Sequence, residues 1–265
     1  MKYIKHNLKE ILHKIRASKY IFLFLDYDGT LVGFKDDPDQ AVPPDRIKDL
    51  ILKLSLNDNL IVTIVSGRTV HNLLEFFTDI DISKLNWIGI HGAQVKYRSC
   101  NIKLSDEAKK AVPLIKDLKS KLTNLTESIP CIFLEDKKVS MALHYRECGK
   151  KELSKISEFM DIIDDFVTDK PLDYLDMKKV IEVKPKNIDK GSSIKIIKSK
   201  YKNLAPSINI CIGDDMTDKY LFDSNTQGIN IRVGTDRIKG LETEYYLKNI
   251  DDVYFFLNSI ILIYE

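Results

Sequence analysis

Asp26 and Asp28 stand two residues apart in the segment Asp26-Tyr27-Asp28-Gly29-Thr30, which closes the apolar run YIFLFL. Side chains two apart on extended backbone point the same way, so both carboxylates can face one small volume. One of them can attack a phosphorus atom and form an acyl phosphate. The other can protonate the leaving oxygen and then take a proton from the attacking water. Gly29 would permit the tight turn this needs. Taken alone, the segment also reads as an ordinary acidic loop after a strand.

Three further motifs complete the set. Gly213-Asp214-Asp215-Met216-Thr217-Asp218 follows another apolar run, INICI. Carboxylates facing a phosphate would repel it, so a hard cation between them is needed, and Mg²⁺ suits carboxylates, a backbone oxygen, waters and phosphate. Ser66-Gly67-Arg68 ends the run IVTIV directly before a helical stretch, where a hydroxyl and free N–H groups make an anion cradle. Lys190-Gly191-Ser192-Ser193 enters SSIKIIKSK, where a lysine could pin a phosphate. Each also has a plainer reading: a turn or cap for GDD and Ser-Gly, a solvated lysine for Lys190.

The elements that must position these residues are legible in the hydrophobic pattern. Ile4, Leu8, Ile11, Leu12 and Ile15 fall on one helical face. The runs YIFLFLD, NLIVTIV, KLNWIGI and INICIG read as buried strands ending in polar loops, with helical stretches such as PPDRIKDLILKLSL and TVHNLLEFF between them. Strand, turn and helix in alternation predict a parallel sheet covered on both faces. Residues from about 95 to 184 differ: QVKYRS, CIFLEDKKVSMALHYRE and KKVIEVKP read as half-exposed strands separated by helices. They predict an α+β insertion, giving a core of 1–94 and 185–265 and a second domain of 95–184.

A chain of 265 residues with 44% hydrophobic and 30% charged residues is long and apolar enough to build such cores. A net charge of +2 demands neither nucleic acid nor an anionic membrane as partner. Cys100, Cys131, Cys148 and Cys211 show no CxxC spacing and are expected as free thiols in a reducing cytosol. The N-terminal segment lacks the uninterrupted apolar stretch of a signal peptide, and VYFFLNSIILIYE is too short to span a bilayer. A cytoplasmic protein is expected.

The order DxDGT, Ser, Lys, GDDxxD, with strands before the first, second and fourth, resembles the haloacid dehalogenase (HAD) superfamily of phosphohydrolases. The resemblance implies an α/β fold: a Rossmann-like parallel-sheet core with an inserted α+β cap of C2 type. It also implies Asp26 as nucleophile and Asp28 as general acid/base. Ser66, Gly67 and Lys190 would hold the phosphate. Asp26, the carbonyl of Asp28, and Asp214 would bind Mg²⁺, with Asp215 and Asp218 supporting them. Within the superfamily, SGRTVHNLLEFF, GIHGAQ, LEDKKVSMALHYRE, IEVKPKNIDKG and GDDMTDKYLF look like the trehalose-6-phosphate phosphatase family. That resemblance places Glu135, Lys137, Arg146 and Glu182 on the sugar, a fitting use for charged groups that make strong bonds to hydroxyls.

Arg68 is counted with the substrate-binding residues. His91 is read either as lining the pocket or as a packed histidine. Two positions depart from the family pattern: Lys184 where Arg is usual, and Gln94 where Glu is frequent. Lys keeps the charge without the planar fork. The implied partner is a small-molecule sugar phosphate, with no nucleic acid or membrane and with a monomer as the expected state. Related activities on sucrose 6-phosphate or mannosyl-3-phosphoglycerate are the nearest alternatives, followed by a sugar-phosphate-binding module without catalysis. A phosphosugar mutase would need more arginines in the cap than Arg98 and Arg146.

Overall fold

The computed structural model describes residues 1–35, 37–177 and 179–264. In chain order the strands are β1 (Lys2–Tyr3), β2 (Tyr20–Asp26), β3 (Leu60–Val65), β4 (Asn86–Gly89), β5 (Gln94–Tyr97), β6 (Lys103–Leu104), β7 (Phe133–Asp136), β8 (Met141–His144), β9 (Leu172–Met177), β10 (Val180–Pro185), β11 (Ser207–Gly213), β12 (Ile229–Val233) and β13 (Tyr245–Leu247). The helices are α1 (Ile4–Arg16), α2 (Asp45–Leu56), α3 (Val70–Glu75), α4 (Asp106–Glu127), α5 (Lys150–Leu153), α6 (Ile156–Val167), α7 (Ser192–Lys200), α8 (Asp218–Ser224) and α9 (Ile250–Ile261). The chain divides into two compact units, Met1–Lys103 with Asp189–Glu265 and Leu104–Ile188.

The first unit is built on a mainly parallel sheet in the order β1-β13-β12-β11-β2-β3-β4-β5-β6 among the described residues. Neighbours from β1 to β4 run parallel, and β5 returns antiparallel to β4. Its central strands are apolar without alternation because both faces are covered. Ile21, Leu23 and Leu25 of β2 pack in one core with residues of α1, α2, α3 and α9, while Phe22 and Phe24 pack in another with residues of α7 and α8. Pairing of Leu25 with both Ile212 and Ile64 aligns the carboxyl ends of β11, β2 and β3. In an open parallel sheet that edge is where ligands bind.

The second unit is a sheet in the order β7-β8-β10-β9, all neighbours antiparallel. One face supplies Met141, Leu143, Leu172, Ile181 and Val183 to a core completed by α4 and α6. The Ser105 hydroxyl accepts the Ala108 N–H and caps α4. The insertion expected over 95–184 is offset: β5 belongs to the large sheet, and the second compact unit begins at Leu104. The free-thiol expectation needs correction. Cys131 and Cys148 are disulfide-bonded, while Cys100 and Cys211 are free. The bridge joins positions flanking the β7–β8 hairpin, a proximity made by strand pairing that sequence spacing does not reveal. No described helix is long and apolar enough to cross a membrane.

Candidate active site

In the first unit, Asp26 ends β2 and Asp214 and Asp215 follow β11, so adjacent strand ends deliver them to one place. Lys190, just before α7, reaches across. Its Nζ lies 2.6 Å from Asp26 Oδ1 and 2.8 Å from Asp218 Oδ1, with all three residues buried. The other oxygen of Asp218 accepts the N–H groups of Asp214 and Asp215 at 2.9 and 3.1 Å. Asp218 is thus fully engaged in shaping the turn. Asp215 Oδ1 accepts the Thr217 N–H and hydroxyl at 2.8 and 2.6 Å, fixing the other side of the same turn.

Electrostatics single out Asp26 and Asp214. Burial, then the charge of Asp218, push the Asp26 carboxyl well above its ordinary range, against the pull of Lys190. Burial, then Asp215 and Asp218, push Asp214 up to about 7. Burial works against the Lys190 ammonium, but Asp218 and Asp26 outweigh it and raise its pKa. Asp215 stays below its usual range despite burial, because Lys190 and its bonds to Thr217 favour the anion. Among the described residues, four acidic side chains against one ammonium leave negative charge uncompensated in a poorly solvated place, a costly arrangement unless a cation joins it.

The donor set suits a hard divalent ion. One oxygen each from Asp26, Asp214 and Asp218 lie within 4.8 Å of one another. Asp214 Oδ1 is buried and takes no hydrogen bond. With Asp218 committed to Lys190 and two amides, Asp26 and Asp214 remain as the carboxylates able to coordinate. Gly29, at φ +81°, lets the backbone pass against Asp214: a Cβ there would sit 2.3 Å from Asp214 Oδ2.

The other expected residues of this unit fall beside the cluster. Ser66 follows β3 and its Oγ accepts the Arg68 N–H at 3.1 Å. Gly67 lies under the His91 imidazole, since a Cβ there would come within 2.8 Å of the ring. His91 is buried and donates its own N–H to the Ser66 carbonyl at 3.0 Å. Ile90 and His91 both adopt positive φ, at 48° and 54°. Such backbone costs roughly 1–3 kcal/mol and gathers at functional sites. His91 also helps to keep Asp215 ionised. Gln94 accepts the Val70 N–H at 2.8 Å, so it caps the start of α3.

Arg68 has a partner that sequence reasoning missed. Its guanidinium grips Asp28 through two N–H groups, Nε to Oδ2 at 2.8 Å and an Nη to Oδ1 at 2.7 Å. It also donates to Asn72 and lies over the Tyr27 and Phe76 rings. Arg68, expected among the substrate-binding residues, here holds the second carboxylate of the DxD pair. A bidentate fork is the geometry Arg is suited to, but nothing in sequence joins positions 40 residues apart.

In the second unit, the face of the sheet opposite its core carries the expected sugar-binding residues. Lys137 Nζ lies 3.2 Å from Glu182 Oε1 and 3.8 Å from Glu135 Oε2. The Ser140 hydroxyl donates to Glu182 at 2.8 Å, and His144 Nε2 lies 2.9 Å from Glu135 Oε2. Burial works against the Glu135 anion, but His144 and Lys137 hold its pKa below the usual range. Arg146 is exposed in the turn after β8, where its carbonyl accepts from Lys179. Lys184 is buried and donates to the Ile188 carbonyl at 2.5 Å. Ser140 and His144 were not anticipated. Strand alternation could have found His144, two residues before Arg146, whereas Ser140 depends on the hairpin turn.

The family model for trehalose-phosphatase matches residues 24–247. A probable trehalose-phosphate phosphatase E of Arabidopsis thaliana is 31% identical over 96% of this chain and 73% of its own length. The trehalose-phosphatase of Saccharomyces cerevisiae is 28% identical over 78% of this chain and 25% of its own. Among solved structures, the C-terminal domain of C. albicans trehalose-6-phosphate phosphatase superposes with a TM-score of 0.79 at 22% identity, covering 96% of each chain. A haloacid dehalogenase-like hydrolase from Bacteroides thetaiotaomicron superposes at 0.64 and 13% identity, over 92% of this chain and 100% of that one. The fold is that of haloacid dehalogenase-like hydrolases, and the chain belongs to the trehalose-phosphatase family of phosphoric monoester hydrolases.

Proposed function

We propose that the chain hydrolyses trehalose 6-phosphate to trehalose and inorganic phosphate, with Asp26 as nucleophile. The observation that carries the chemistry is the buried Asp26 carboxylate held by Lys190 at a strand end, beside an Asp214 oxygen left without a partner. An oxygen of Asp26 attacks phosphorus and the phosphorus–sugar oxygen bond breaks. Asp28 gives its proton to the departing alkoxide, then takes one from water as that water attacks the acyl phosphate. Asp26 is released as a carboxylate with free phosphate.

Arg68 holds both oxygens of Asp28, so this pair opens before Asp28 reaches the leaving oxygen. Ser66, the N–H groups around Gly67, and Lys190 would hold the phosphoryl oxygens, with His91 fixing the Gly67 turn. Mg²⁺ would be held by Asp26, Asp214 and the carbonyl of Asp28, with Asp215 and Asp218 ordering the turn behind them. Bound there, it would offset the negative charge of the phosphoryl group and the carboxylates.

Glu135, Lys137, Arg146 and Glu182 are the proposed partners of the sugar hydroxyls. Family membership and the alignment of three of them on one sheet face support this reading. Phosphate release with Mg²⁺ from trehalose 6-phosphate, sucrose 6-phosphate and mannosyl-3-phosphoglycerate tests the substrate. A kcat/KM for trehalose 6-phosphate about a hundredfold above the others is expected, since a site built on hydroxyl contacts rejects a substrate that leaves them unpaired. Comparable values for all three would overturn the assignment and leave the phosphatase chemistry standing.

A further inference from the structure

Strand β7 places Phe133 largely in solvent, outside the hydrophobic cores. Its neighbour Leu134 packs in the core beneath the small sheet, so alternation puts Phe133 and Glu135 together on the opposite face. Phe133 is 64% exposed there, on the face that carries Glu135, Lys137 and Glu182. Its cross-strand partner is His144, with the two rings 5.9 Å apart between centroids. His144 in turn holds Glu135 at 2.9 Å. Phe133, His144 and Glu135 are therefore one contiguous group, aromatic at one end and charged at the other.

A pyranose ring asks for this combination. Its rim of hydroxyls needs charged or polar partners, while its axial C–H groups form an apolar patch that an aromatic face can cover. The charged groups of this face answer the first need and leave the second unmet. We propose that Phe133, steadied by His144, is the apolar wall of the sugar subsite, on which one glucose ring of the substrate stacks. This rests on the reading of Glu135, Lys137 and Glu182 as hydroxyl partners.

The test compares kcat/KM for trehalose 6-phosphate with kcat/KM for p-nitrophenyl phosphate, which has no pyranose, in Phe133→Ala, Phe133→Tyr, Phe133→Trp and Glu135→Gln. The ratio is expected to fall about five- to tenfold in Phe133→Ala, through a higher KM for the sugar phosphate, and to be restored by Tyr or Trp. A ratio unchanged in Phe133→Ala but lowered in Glu135→Gln would overturn the stacking proposal alone. A ratio unchanged in both would overturn the hydroxyl-partner reading and the proposal with it.

Discussion

Among the described residues, buried Asp26 and Asp218 and half-buried Asp214 and Asp215 gather around one ammonium, that of Lys190. The imbalance makes the proton and the metal ion rivals for the same oxygens. Asp214, ordinarily ionised above 3.8, keeps its proton in the metal-free fold up to about 7. Unfolded, it would ionise near 3.8, so the metal-free fold loses stability as pH climbs from there to about 7. A divalent cation binds the ionised form and must displace that proton below 7. Asp26, the other carboxylate able to coordinate, is pushed up as well, so Mg²⁺ affinity should rise by at least about tenfold per pH unit below 7. Calorimetry across this range checks the slope, and a flat profile would contradict the assignment of Asp214. The DxD and GDD residues were legible in sequence because each closes an apolar strand. The Arg68–Asp28 pair was not, because it joins two strand-end loops whose proximity only the sheet order creates.

Among the elements, the β7–β8 hairpin carries most of the proposed sugar contacts, and Cys131–Cys148 ties its flanks across 17 residues. A bridge closing a loop of that size stabilises by about 3 kcal/mol, mainly by restricting the unfolded chain. The double variant Cys131→Ser, Cys148→Ser should lose about that much, and hydrogen exchange should accelerate within Leu104–Ile188. Unchanged exchange in that unit would show that strand pairing alone holds the hairpin. The long strands β2, β3 and β11 were legible from their apolar runs, as were α1 and α2 from their helical periodicity. Two-residue β1 and three-residue β13 were not: they are too short for any period, and their pairing is fixed by the fold. The second compact unit begins later than composition suggested because β5, although half-exposed, joins the large sheet between β4 and β6.

At the scale of the whole chain, each unit closes its own hydrophobic core, one unit carrying the carboxylate cluster and the other the sheet that bears Glu135 and Glu182. The family was legible because four motifs in fixed order outweigh any one of them. The polar network of the small sheet was only partly so, since Ser140 and His144 carry no motif of their own. The central claim is that Asp26 drives the hydrolysis of trehalose 6-phosphate in the presence of Mg²⁺. The most direct test is phosphate release from that substrate by the wild type and by Asp26→Asn, each with Mg²⁺ and with chelator. We expect the wild type to turn over only with Mg²⁺, and Asp26→Asn to lose at least about a thousandfold in kcat. Wild-type turnover that survives in Asp26→Asn, or that ignores the chelator, would contradict the account.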